Sequence, residues 1–206
     1  MTGSDHWDGV YGSKGDDVSW FQPTLERSLA IIDGLGLPAG SSAIDVGAGS
    51  STLVDDLLDR GFGAVAVADL SQVALDLIRA RLGERVRQVS MIVGDITRVQ
   101  LPDNAYDLWH DRAVFHFLTD PAARATYIRQ VLRALRPGGR VVVATFGPQG
   151  PERCSGLLTQ RYDEGTLHST FGEDAFTMIG HEREVHRTPW GAEQEFVYCY
   201  FRCEAC

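Results

Sequence analysis

The chain has 206 residues, 44% of them hydrophobic, which is enough to bury one substantial core. A formal net charge of −9 works against a polyanionic partner, because nucleic-acid affinity rests largely on Lys and Arg neutralising phosphates. The leading MTGSDHWDGV has no apolar signal core and no run approaches a membrane span, so a cytoplasmic protein with neither a nucleic-acid nor a membrane partner is expected.

In chain order, WDGVYGSKGDDVSWFQPT comes first, with Trp7, Tyr11, Trp20 and Phe21 in a stretch too rich in Gly and Asp for a core helix. Residues 1–22 are therefore expected to act as a lid over a site or as a tether, ahead of one domain over 23–206. A helix follows over 23–36, from Pro23, with Leu25, Leu29, Ile32 and Leu35 at helical spacing. AIDVGAGSST at 43–52 reads as an apolar strand ending in Asp45, then a turn through Gly47 and Gly49, then a helix. Such a corner lets backbone approach a ligand with no Cβ in the way. A dinucleotide fingerprint would want glycine at position 52, where Thr52 stands, and Asp45 would oppose a pyrophosphate but suit an ammonium.

AVAVADLS at 64–71 gives a second strand closing on Asp69, placed to hold both hydroxyls of a ribose. Ser71 is a cap for the next helix, which runs to residue 82. MIVGDITR at 91–98 ends a third strand at Gly94 and Asp95, and YDLWHDRAVFHFL at 106–118 supplies a fourth. Asp120 caps a helix that begins at Pro121, LRPGGR at 135–140 reads as a turn, and VVVATF at 141–146 as a fifth strand. EVHRTP and EQEFVYCYF, joined through Trp190-Gly191, look like two antiparallel strands. The four cysteines include one C-x-x-C, Cys203 and Cys206, without a second pair, so no metal site is expected.

The run Asp45, Gly47, Gly49, Ser51 resembles motif I of the class I S-adenosylmethionine-dependent methyltransferases, with Ser51 in place of the third glycine, and the resemblance extends over roughly 20–202. It implies an α/β, Rossmann-like, doubly wound seven-stranded sheet of order 3-2-1-4-5-7-6 with a C-terminal antiparallel hairpin. The implied cofactor is S-adenosylmethionine, held by Asp45, Gly47, Gly49, Ser51, Asp69 and Leu70, with Asp95 at the adenine amino group, Ile96 near the ring, and His110 and Trp20 alongside.

Chemistry is expected where the fourth strand ends. His110 or His116 would be the general base and Asp111 would orient a ring or receive an ammonium, with His186 a third base candidate. Each also fits a structural role: Asp111 paired with Arg112, His116 as a core histidine between Phe115 and Phe117. Tyr11, Arg112, Cys154 and Arg161 are assigned to the acceptor, Arg112 as the holder of a carboxylate. A small-molecule acceptor is favoured, with a resemblance to thiol and thiopurine methyltransferases in DRAVFHFL. A protein lysine methyltransferase and a non-catalytic donor-binding partner protein are the alternatives. No N-P-P-Y run follows the fourth strand, which argues against a base-amine methyltransferase.

Overall fold

The computed structural model describes residues 3–14 and 17–205. Its helices are α1 (Ser4–Lys14), α2 (Glu26–Gly34), α3 (Leu53–Asp59), α4 (Gln72–Leu82), α5 (Pro121–Ala134) and α6 (Glu164–Phe171). The strands are β1 (Ser42–Val46), β2 (Ala64–Asp69), β3 (Val89–Val93), β4 (Tyr106–Arg112), β5 (Leu135–Phe146), β6 (Arg153–Cys154), β7 (Leu157–Leu158), β8 (Phe176–Arg187) and β9 (Glu193–Cys203). Seven of them form one sheet in the order β3-β2-β1-β4-β5-β9-β8, which is the expected order once the small pair β6-β7 is counted apart.

The apolar runs of β1, β2 and β5 follow from burial on both faces. Ile44, Val46, Trp109, Val141 and Val143 face α5 and α6, packing with Tyr127, Val131 and Phe171. Ala43, Val65, Val67, Leu108, Val142 and Ala144 face the other way, onto Leu29, Leu53, Leu57 and Ile78 of α2, α3 and α4. The parallel register brings the carboxyl ends of four strands to one edge: Val46 lies beside Ala68 and Asp111, and Asp69 beside Val93. A ligand crevice belongs at that edge.

Local signals act as expected at Ser71, whose hydroxyl accepts from Ala74 N at 3.1 Å, and at Asp120, which accepts from Ala122 N at 3.1 Å. Four elements differ from expectation. The lead-in contains the helix α1, whose Val10 and Tyr11 are buried, so tertiary contact overrides the poor propensity of Gly9 and Gly12. Helix α2 begins at Glu26, three residues after Pro23. Leu135 pairs with Tyr106 and Arg140 with Leu108, so the expected turn is a bulged stretch within β5. Strand β8 starts at Phe176, earlier than EVHRTP, because a buried Phe176 anchors it while Thr177, Ile179, His181 and Arg183 alternate outward. The β6-β7 hairpin turns through Ser155 and Gly156 at φ 48 and 79, the positive values that a two-residue loop requires. No helix among the described residues is long and apolar enough to cross a membrane.

Candidate active site

A cavity of about 430 Å³ opens at the strand-end edge. One end is built by Gly47, Asp69, Leu70, Gly94 and Ile96, and the other by Arg112, Val114, Phe117, Thr119 and the hairpin residues Arg153, Cys154 and Leu157. Trp7, Tyr11 and Trp20 cover it. A smaller cavity of about 40 Å³ lies beyond Trp20 and is bordered by Asp45, Ser51, His110 and Arg112.

The glycine corner needs its glycines. Gly47 has φ 68 and Gly49 φ 55, and a Cβ would meet the Val114 side chain at the first and the Tyr11 hydroxyl at the second. Ser51 Oγ accepts from Leu53 N at 3.1 Å and so starts α3. Asp69 is the pivot. Its Oδ2 accepts from Gly49 N and its Oδ1 from Ser71 N, both at 2.8 Å, which leaves each oxygen a further lone pair. Burial pushes its carboxyl up to about 6, against the pull of those two amides. A ribose diol, with two donors, fits that acceptor pair. Leu70 and Ile96 stand on the same wall, whereas Asp95 does not: its Oδ1 accepts from Thr97 N at 2.8 Å and Thr97 Oγ1 at 2.6 Å, capping the turn beside the cavity.

The base candidates at the end of β4 are consumed by structure. His110 Nδ1 donates to Asp45 Oδ1 at 2.7 Å and Nε2 meets Ser28 Oγ at 2.9 Å, so both ring nitrogens are engaged inside the protein. Asp111 is buried, accepts from Tyr127 Oη at 2.5 Å and from the amides of Val114 and Phe115, and does not pair with Arg112. These bonds hold the turn at Ala113, φ 71, on which Val114 reaches the cavity. Burial pushes the Asp111 carboxyl up to about 6. His116 is wholly buried, its Nδ1 accepts from Phe146 N at 3.3 Å, and burial, helped by the Arg112 charge, holds it down to about 3. His186 donates from Nε2 to the Ser19 carbonyl at 2.7 Å and accepts at Nδ1 from Gln22, pinning the segment that carries Trp20. None of His110, Asp111, His116 and His186 lines the larger cavity.

The acceptor assignments divide. Tyr11, Arg112 and Cys154 line the cavity; Arg161 does not, because it bonds Glu152 at 3.1 Å and the Gly150 carbonyl at 3.4 Å on the surface. Cys154 is buried, with Sγ 3.9 Å from Ser19 Oγ, and burial pushes its thiol up to about 11, which excludes a resting thiolate. Of the terminal C-x-x-C, Cys206 lies outside the described residues and Cys203 is buried. Sequence reasoning missed Asp8. It accepts from Ser71 Oγ at 2.6 Å and Val73 N at 3.2 Å, fastening α1 to the start of α4 next to Asp69. It also missed the walls at Val114, Thr119 and Leu157, which belong to no motif.

The sheet order, the glycine corner and the strand-end acid define a class of protein, and the family described as Methyltransferase domain matches residues 44–143. Over those residues the chain carries a methyltransferase domain, and its fold is that of S-adenosylmethionine-dependent methyltransferases. Among its relatives, a demethylmenaquinone methyltransferase of Renibacterium salmoninarum is 31% identical over 144 residues, 67% of this chain and 56% of that one. An uncharacterised methyltransferase of Mycobacterium bovis is 37% identical over 110 residues, 53% of this chain and 42% of that one. The chain thus spans about half the length of these relatives. In fold it is similar to the N-methyltransferase NodS of Bradyrhizobium japonicum, solved with S-adenosylhomocysteine (TM-score 0.76, 18% identity, 96% and 98% of the two chains covered). It is also similar to a protein solved in work on conversion of a disulfide into a thioacetal group in echinomycin biosynthesis (TM-score 0.79, 16% identity, 98% and 92% covered).

Proposed function

We propose that the chain transfers the methyl group of S-adenosylmethionine to a small-molecule acceptor. The observation that carries this is the lining of the cavity: it runs from Asp69 at the end of β2, past Arg112 at the end of β4, to Val114, Phe117 and the β6-β7 hairpin, so one continuous, mostly apolar chamber extends beyond the donor corner. A chamber of that kind takes a compact organic molecule. The residues present fit the donor: Gly47 lines the cavity at a positive φ and Asp69 keeps acceptor capacity for its ribose. Bound there, the donor supplies an electrophilic methyl on a sulfonium.

The chain's own part is positional. Trp7 meets Trp20 at 5.8 Å and Phe117 at 5.3 Å between ring centroids, edge to face, and together these rings roof the chamber and exclude water. Among the described residues no histidine lines the cavity, so the acceptor brings its nucleophile ready to react. The demethylmenaquinone methyltransferase relative, whose name specifies a small molecule, supports this reading. A donor-binding protein without catalysis would have no use for a chamber beyond the donor site. The experiment is to incubate the chain with labelled S-adenosylmethionine and, separately, a small-molecule extract or denatured cell protein. Label in the small-molecule fraction is expected, and label confined to protein would overturn the proposal.

A further inference from the structure

Arg112 closes β4 with only 8% of its surface exposed. Its Nε donates to Tyr198 Oη at 3.0 Å, its Nη1 donates to the Trp20 carbonyl at 2.9 Å, and its guanidinium carbon lies 4.7 Å from the centroid of the Phe196 ring. Nη2 is buried with no hydrogen-bond partner. Among the described residues no carboxylate pairs with this guanidinium directly; the nearest acid in its network, Glu184, is reached only through Tyr198 Oη, at 3.0 Å from Oε2. The titratable groups that feel its charge supply no anion: burial lowers His116 and His186 and raises Cys154 and Tyr198, so all four stay neutral. A buried cation without a counter-ion is costly, and the chain has a net charge of −9 from which one might have been drawn. Arg153 adds a second cation at the same end of the cavity, while Asp69, the acid on the cavity wall, stands at the other.

We propose that the acceptor is an organic anion, an aromatic thiolate or phenolate, docked against Arg112. The inference rests on the reading of the cavity as a small-molecule acceptor site. It explains the missing base and the unpaired guanidinium together. The anion's lone pair forms the new bond to the methyl carbon while the carbon–sulfur bond breaks and its electron pair returns to sulfur. Anion and sulfonium are both neutralised, and no proton has to move. Aromatic walls at Phe117, Trp7 and Trp20 suit a planar body, and a guanidinium suits a delocalised charge.

The test is equilibrium binding to the full chain saturated with S-adenosylhomocysteine, using 4-nitrobenzoate and its neutral near-isostere 4-nitrobenzamide. The anion is expected to bind at least about tenfold more tightly, a preference that Arg112→Gln reduces to within about threefold and Arg112→Lys partly restores. The wild-type comparison needs no variant and decides the point even if Arg112→Gln fails to fold. Equal binding of the pair would overturn the inference, as would an Arg112→Gln protein that keeps the preference but loses S-adenosylhomocysteine affinity, which would assign the guanidinium to the donor. Transfer assays with thiophenol and 4-nitrophenol identify the source of the anion: methylation of either, rising with that acceptor's own ionised fraction, supports the inference. Transfer to neutral amines in preference to both overturns it and leaves the small-molecule reading standing, whereas label found only on protein removes that reading itself.

Discussion

At His116 the imidazole sits between the rings of Phe146 and Phe117, each centroid 4.5 Å away, and its pKa is held down to about 3. An unfolded chain restores the ordinary value of 6.5, so between the two the unfolded state binds more protons. His116 therefore contributes its full stability above that ordinary value and loses it as pH falls. Replacing it by Phe should remove this slope: the stability difference, wild type minus His116→Phe, should shrink by about 2–3 kcal/mol on going from about pH 7.5 to about pH 4.5 in urea melts. Parallel shifts of wild type and variant between the two pH values would show that the ring is not buried neutral. Asp69 and Asp111 have the opposite sign. Their folded values near 6 lie above the ordinary 3.8, so the folded state holds extra protons between them, and that stability is lost as pH rises. At Asp69 the same titration reaches the donor, because only the carboxylate accepts from both hydroxyls. Affinity for S-adenosylhomocysteine should fall by up to about tenfold per pH unit below about 6, and Asp69→Asn should lack that inflection. An identical pH profile in the two proteins would take Asp69 out of the site.

Helix α1 is short and carries Gly9 and Gly12, so alone it would be marginal in water. What holds it is contact: Val10 and Tyr11 buried, Trp7 against Phe117, and Asp8 across the first turn of α4. The Ser71 hydroxyl lowers the Asp8 pKa further than its amide partners do, so this clasp is present at neutral pH. Because the clasp is peripheral to the sheet and central to the cavity roof, α1 is proposed to serve as a lid. Asp8→Ala should speed S-adenosylhomocysteine dissociation several-fold while costing global stability only about 1 kcal/mol, the usual size of a lost cap. Unchanged dissociation with a larger loss of stability would make α1 part of the core and a tether. The β6-β7 hairpin forms the facing wall, and Leu158 on it is exposed.

Taken across the molecule, the strands and the donor corner could be read from the residues because their signals are local. AIDV, AVAVAD and VVVATF are apolar runs because both faces of each strand are covered, and the glycines at 47 and 49 mark a turn that other residues cannot make. The reactive end was harder, since its chemistry depends on distant partners. His110 looks like a base until Ser28 on α2 and Asp45 on β1 occupy its two nitrogens, and Asp111 looks like an orienting acid until Tyr127 on α5 claims it. Such pairings exist only after the layers pack, and no spacing rule announces them. The same holds for α1, whose helix is made by what it touches. The proposed activity depends on the strand-end crevice being a donor site centred on Asp69. Calorimetric titration of S-adenosylhomocysteine into wild type and Asp69→Ala at neutral pH tests this most directly, with NAD as the control ligand. The expected result is binding to wild type, binding weakened by at least about tenfold in the variant from the loss of a buried acceptor pair, and no heat with NAD. Equal affinity in the two proteins, or measurable NAD binding, would contradict it.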